Sequence, residues 1–348
     1  MSDTNPARYI SGVRLSPGGL HLGHLFGNVS PAETLPSNTE VIFCVKDTEP
    51  LISSLSDSGR GDLCAIVRDV LACLNNRKIL ITTASRLWAA CPKLYSAFLD
   101  EVTVNGLIAN HFKRELIRSE MKTMESPLPE SNSPKLKYLL FPFDEAMTLV
   151  SLRASGLLSN DDNVRFVKFA KRLAERGNSR AGANIFPMPE LVHNRNAGRL
   201  LGVGYDRMCK ALDNHLPLSS TAADVSRFVD KLSSMHAYFD KNPEELAKYD
   251  KQKDEYVFVP NYLPLAYLDY FGKEVARATG GLTVRDLKDF LESLKKVLWE
   301  LLKEIQSKVS EMGVSDELAF ARIENDSKMV ARVASETENL FLQSVRNR

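Results

Sequence analysis

The chain is poor in the features that would place it outside the ordinary globular class. Its 348 residues contain five cysteines, Cys44, Cys64, Cys73, Cys91 and Cys209. None form a Cys-x-x-Cys pair, and the odd count argues against a disulfide framework and against a zinc ribbon. No apolar run approaches the roughly 18–20 residues of a membrane span. The first residues, Met-Ser-Asp-Thr-Asn-Pro, lack the basic and apolar regions of a signal peptide. A cytoplasmic protein with free thiols and no membrane partner is therefore expected. Net charge is close to balance at +1, so a nucleic-acid partner would have to be met by a local basic patch. Internal repeats and low-complexity tracts are lacking. The 44% hydrophobic and 26% charged fractions are those of a chain that buries a core, and the length allows two domains.

What is present is organised by alternation. Glu40-Val-Ile-Phe-Cys-Val-Lys46 is an apolar run that reads as a buried strand and ends in a turn at Asp47-Thr-Glu-Pro50. Leu63, Ile66, Val67, Val70, Leu71 and Leu74 recur at helical spacing, and Lys78-Ile-Leu-Ile-Thr-Thr83 reads as another strand. Helices between strands favour a parallel sheet covered on both faces, with ligands outside the carboxyl ends of the strands. Ser119–Ser133, broken by prolines at 127 and 129 and followed by Pro134, reads as an exposed loop. Helices are expected from Phe141-Pro142 to about Ala154 and over Val164–Arg176, the second basic through Arg165, Lys168, Lys171, Arg172 and Arg176. Such a run is usually a solvated face, though it also suits a phosphate backbone. From about Thr221 onward the pattern is helical only, the longest stretch being Leu282–Met312 with Leu287, Leu291, Leu294, Leu298, Leu302 and Ile305 on one side. The fold class expected is α/β: a Rossmann-type parallel sheet over residues 1–200, followed by a phosphate-loop linker and an all-helical domain over 201–348.

The segment that carries chemistry is Ser11-Gly-Val-Arg-Leu-Ser-Pro-Gly-Gly-Leu-His-Leu-Gly-His-Leu-Phe-Gly27. Glycines let a backbone approach a ligand or take φ > 0. A Gly-rich loop opening a helix is a phosphate cradle when its N–H groups are free. His21 and His24 add donors that hold a phosphate as its charge shifts. Read alone, the pair also fits a metal pair or two surface histidines at a loop–helix junction. The loop lies at a strand's carboxyl end if Tyr9-Ile10 closes the first strand.

Ser11-Gly12, Arg14, Gly19-Leu-His-Leu-Gly-His24 and Gly27 together resemble the class I aminoacyl-tRNA synthetase signature, in the form most like tryptophanyl-tRNA synthetases. Further segments resemble that family in its order. Val45-Lys-Asp47 is similar to a strand end, Phe141-Pro142 to a Tyr-Pro segment, and Leu158-Ser-Asn-Asp-Asp-Asn163 to a ribose-side motif. Arg207-Met-Cys-Lys-Ala-Leu-Asp-Asn214 is similar to the Lys-Met-Ser-Lys-Ser phosphate loop. Asn261–Phe271 and Arg285-Asp-Leu-Lys288 resemble the family's C-terminal half.

The resemblance implies a two-step reaction: ATP and an aromatic amino acid, tryptophan or a relative, give an aminoacyl-adenylate, and the acyl group then moves to tRNA. Mg²⁺ would accompany ATP, with no protein-ligated metal. It implies a homodimer. His21, His24 and Lys210 would be catalytic, and Gly19, Gly23, Asp162, Arg207 and Lys210 would bind ATP. Arg14, Asp47, Thr148 and Asp144 would bind the amino acid. The sequence also departs from the pattern. Arg207 replaces a lysine, and Cys209 and Ala211 replace the two serines of the loop. Thr148 stands where the family places the aspartate that accepts an indole N–H, with Asp144 one turn earlier on the same face. Three readings follow: an active ligase, a synthetase-like paralogue that binds tRNA, nucleotide or a partner without aminoacylating, and an adenylate-forming enzyme with another acceptor.

Overall fold

The computed structural model describes residues 7–47, 57–74, 77–100, 102, 136–160, 163–192, 200, 202, 203, 208, 210, 213–241, 247–250, 255–258 and 287–347. Five strands form one parallel sheet in the order β3-β2-β1-β4-β5. They are β1 Arg8–Arg14, β2 Glu40–Lys46, β3 Ile79–Thr83, β4 Gly156–Leu158 and β5 Glu190–Val192. β1 lies between β2 and β4, with Arg14 opposite Lys46 and Tyr9 opposite Gly156. The order reverses at β1, so the crevice at its carboxyl end is the place where such sheets bind ligands.

Alternation along the strands sends side chains to two cores. Val13, Val41, Phe43, Val45 and Ile81 face one apolar layer. Ile10, Ile42, Cys44 and Leu80 face the other. The first layer is closed by α2 (Asp57–Cys73), α7 (Ala222–Lys241) and α8 (Leu287–Met312). The second is closed by α3 (Ala84–Ala90), α4 (Pro92–Leu99), α5 (Leu136–Ser151), α6 (Val164–Ala181) and α9 (Asp316–Arg346). Leu294, Leu298 and Leu302 of α8 are fully buried. They lie four residues apart, so one side of the helix faces the core.

The last helix returns to the sheet and covers the edge strand β3. Asp326, buried in α9, accepts from the Ile81 N–H at 3.0 Å, and Arg322 donates to the Ile79 carbonyl at 2.8 Å. Side chains thus satisfy backbone groups that a further strand would have taken. Glu338, farther along α9, accepts from the Leu94 N–H at 2.7 Å and so closes the first turn of α4.

Several boundaries differ from expectation. β1 runs on to Arg14 rather than closing at Ile10, because Gly12 tolerates the neighbouring strand: a Cβ there would stand 2.1 Å from the Cys44 carbonyl oxygen. α5 starts at Leu136 and keeps Pro142 inside it, where the missing N–H removes one hydrogen bond. β4 and β5, three residues each, are too short to show a period. Among the described residues from Ala222 onward, the helices are interrupted by an antiparallel pair, β6 (Ala247–Asp250) with β7 (Glu255–Phe258). Its Tyr256-Val257-Phe258 run has strand-type composition. Ser119–Ser133 and Asn261–Phe271 lie outside the described residues.

Candidate nucleotide and amino-acid site

The Gly-rich loop leaves the carboxyl end of β1 and enters a short helix, α1 (Leu22–His24), which continues as π and 3-10 turns to Thr34. Gly18 and Gly19 have φ of +77° and +73°, the left-handed region open to glycine. His21 caps α1: its Nδ1 accepts the His24 N–H at 3.3 Å. The two imidazoles stack with centroids 3.5 Å apart. His21 is buried and His24 half-buried.

A distant segment closes over this loop. The Leu22 N–H donates to the Leu216 carbonyl at 2.9 Å, and the Leu218 N–H to the Leu20 carbonyl at 3.0 Å. This antiparallel bridge brings Lys210 to the loop. Its Nζ donates to the carbonyls of Ser16 at 3.3 Å, Gly19 at 2.5 Å and Pro17. The same bridge sets His215 beside His21, ring centroids 5.5 Å apart. The His215 Nδ1 is buried without a hydrogen-bond partner among the described residues. Burial and the neighbouring Lys210 charge lower its pKa, so the ring is held neutral.

The loop's own N–H groups are not all free, which corrects the sequence expectation. The Gly18 N–H donates to Asp62 at 3.0 Å and the Leu20 N–H to Asp69 at 2.7 Å, both carboxylates reaching from α2. Burial lifts the Asp69 carboxyl from the ordinary 3.8 to about 6, against the pull of the Leu20 N–H and Lys210. Those two amides are thus already paired, and His21, His24, His215 and Lys210 are the side chains gathered at the loop. Gly23 has a use inside the fold as well. A Cβ at this position would stand 3.0 Å from Met208 and 3.1 Å from the His21 ring.

A second group of predicted residues gathers at the ends of β1 and β2 and on α5. Arg14 places its guanidinium 4.8 Å from the centre of the Phe141 ring. Thr148 is buried, and its hydroxyl donates to the Asp144 carbonyl at 2.9 Å. The Thr148 oxygen in turn accepts from Lys46 Nζ at 2.7 Å, and Lys46 lies 3.4 Å from Glu145. Burial alone would lower the pKa of this ammonium, but the Glu145 carboxylate beside it raises it above the ordinary value, so Lys46 is charged. The Asp144 carboxylate does accept an indole N–H, but the indole belongs to Trp88 of the chain's own α3. Trp88 stacks at a tilt on Tyr95, which meets Phe143 edge-on.

Asp47 stands apart from both groups. Its carboxylate accepts the Ser85 N–H at 2.8 Å and the Ser85 hydroxyl, so it holds the first turn of α3. Asp162 and Arg207, with Cys209 and Ala211, lie outside the described residues. Sequence reasoning missed Lys46, Trp88, Tyr95, Glu145, Asp69 and His215 as members of these clusters. Lys46 alone carried a signal: a cation closing a wholly apolar strand has to be buried and paired.

Among the described residues no group of three or more His, Cys, Asp or Glu side chains is arranged to hold a metal ion, and no helix is long and apolar enough to cross a membrane.

No protein-family model matches the chain. It is 28% identical to the tryptophan–tRNA ligase of Borreliella burgdorferi, over 80% of this chain and 82% of that protein. Among solved structures, the fold superposes on tryptophanyl-tRNA synthetase from Mycoplasma pneumoniae with a TM-score of 0.72 and 16% identity, covering 97% of each chain. It superposes on the Campylobacter jejuni tryptophanyl-tRNA synthetase complexed with ADP and tryptophan with a TM-score of 0.67 and 15% identity, covering 98% of each. The Gly-rich loop, the parallel sheet that carries it and these likenesses agree: the chain is tryptophanyl-tRNA synthetase-like, with the class I aminoacyl-tRNA synthetase fold.

Proposed function

We propose that the chain is an aminoacyl-tRNA ligase that activates an amino acid with ATP and transfers it to tRNA. One observation carries this reading: Lys210, nearly two hundred residues away in sequence, closes onto the loop that presents His21 and His24. In the first step a substrate carboxylate oxygen attacks the α-phosphorus, a P–O bond forms, and the bond to pyrophosphate breaks. The barrier is lowered by positioning and by groups that meet the growing negative charge. In this reading His21 and His24 face the α-phosphate, with neutral His215 beside them as a further donor. Lys210 releases the loop carbonyls and meets the departing β- and γ-phosphates. Gly19 and Gly23 border the nucleotide, with Arg207 and Asp162 as further ATP contacts. Arg14, Thr148 and Asp144 border the amino acid, and Asp47 acts on it only through α3. In the second step a hydroxyl of the terminal tRNA ribose attacks the acyl carbon and AMP departs. Mg²⁺ enters with ATP as part of the substrate.

ATP–pyrophosphate exchange with the proteinogenic amino acids, followed by charging of tRNA, tests the reading. Lys210→Met is expected to lower the exchange kcat/KM by about 100-fold. No exchange with any amino acid would refute ligase activity. A second reading, nucleotide or tRNA binding without acyl transfer, is favoured by the Trp88 indole already seated on Asp144. It predicts ATP binding with no exchange. A homodimer is part of the first proposal and is checked by sedimentation equilibrium.

A further inference from the structure

The helix α6 carries its charge in a way that α8 and α9 do not. Its inner side is apolar and buried through Phe166, Val167, Phe169, Ala170, Leu173 and Ala174. Its outer side holds six cations, Arg165, Lys168, Lys171, Arg172, Arg176 and Arg180, against one carboxylate, Glu175. Lys168, Arg172, Arg176 and Arg180 are exposed and follow one another four residues apart, so they line one stripe of the helix. From Arg165 to Arg180 the face is about 22 Å long.

Like charges four residues apart destabilise a helix. Three such pairs run in succession here: Lys168 with Arg172, Arg172 with Arg176, and Arg176 with Arg180. The other long helices offset their cations. On α8, Lys295 pairs with Glu292 and Lys308 with Glu304. On α9, Arg322 pairs with Asp326 and Arg332 with Glu336. Lys168, Lys171, Arg172 and Glu175 form no ion pair among the described residues. The counter-charge this face lacks within the fold is one that an external polyanion supplies.

The face begins at the candidate site. The Arg165 guanidinium lies 4.8 Å from the centre of the Phe166 ring, which meets Phe141 edge-on at 5.3 Å. Arg14 stands over that same Phe141 ring. α6 also follows the carboxyl end of β4, where the Leu158 carbonyl accepts the Ser11 hydroxyl at 3.5 Å. Both aromatic side chains of α6 are buried, so the face offers no platform on which a base could stack. That suits a duplex, met through its phosphates and shape, better than an unstacked single strand.

We propose that the exposed face of α6 is the surface along which a duplex arm of tRNA lies, its phosphates meeting Lys168, Arg172 and Arg176 and its end directed toward the site at Arg14. The identity of the RNA rests on the ligase reading above.

The test uses the full chain, unfractionated tRNA and two triple variants of equal charge change. Lys168→Gln, Arg172→Gln and Arg176→Gln together clear the stripe. Lys296→Gln, Lys303→Gln and Lys328→Gln together remove three exposed cations from α8 and α9 as a control. All six positions are exposed, so both variants should keep the native helicity, as read by circular dichroism. The α6 variant is expected to bind tRNA at least about tenfold more weakly at about 0.1 M salt, with the slope of log K against log salt reduced by about 2. The control is expected to bind nearly as the native chain does. In charging, KM for tRNA should rise with the loss of affinity in the α6 variant, while ATP–pyrophosphate exchange without tRNA is unchanged. No tRNA binding by the native chain, binding unchanged in the α6 variant, or an equal loss in the control overturns the proposal, and exchange then still stands as evidence of activation. Binding that depends on α6 in a chain that shows no exchange supports the surface and overturns the ligase reading alone.

Discussion

Asp69→Asn separates the electrostatic cost of the loop's anchor from its hydrogen bond. The Asp69 carboxylate accepts the Leu20 N–H at 2.7 Å from a mostly buried position on α2. Burial raises its pKa from 3.8 to about 6, while the Leu20 N–H and Lys210 pull the other way. The folded state thus binds this proton more tightly than the unfolded chain. The associated stability is fully present below pH 3.8 and is lost as pH rises through about 6. The displacement corresponds to about 3 kcal/mol, of which about 2 kcal/mol falls between pH 4 and pH 7. An asparagine oxygen still accepts the Leu20 N–H but does not titrate. Urea unfolding of both proteins across that range isolates the residue, since every other carboxylate cancels in the difference. The stability of the native protein relative to the variant should decline by about 2 kcal/mol from pH 4 to pH 7. A difference that stays flat with pH would refute the reasoning, and with it the burial of a charged anchor beneath the loop.

Two glycine replacements should diverge. In Gly12→Ala the new Cβ would stand 2.1 Å from the Cys44 backbone oxygen, so a loss of at least about 3 kcal/mol is expected by urea unfolding. Gly18→Ala meets open space and only an unfavourable φ of +77°, so a loss of about 1 kcal/mol is expected. Cys44 and Cys91, buried and with thiols pushed up to about 12 by that burial, should resist iodoacetamide at pH 8 in the folded protein and react once it is unfolded, as read by intact mass.

The parts of the site legible in one dimension were those written in contiguous residues. Gly18-Gly19 and His21-x-x-His24 owe their geometry to local rules: positive φ at the glycines, and an imidazole capping the turn that follows it. The apolar runs of β2 and β3 and the Leu periodicity of α8 were equally local, because burial on a fixed period leaves its mark on composition. β4 and β5 escaped because three residues carry no period. The pair β6–β7 escaped because strands of four residues are too short to set an alternating period against the helical pattern around them.

Sequence by itself thus determined that a parallel sheet would end in a Gly-rich, histidine-bearing loop, and that a lysine motif followed far downstream. Tertiary structure alone decided what each side chain meets. It turned Asp144 to the Trp88 indole, set Asp47 on the first turn of α3, and buried Lys46 against Thr148 and Glu145. It also gave the loop's amides to Asp62 and Asp69. Each of these contacts joins residues dozens of positions apart. Local propensity carries no information about such partners, because a carboxylate of given sequence neighbours accepts from whichever donor the packed helices bring within reach.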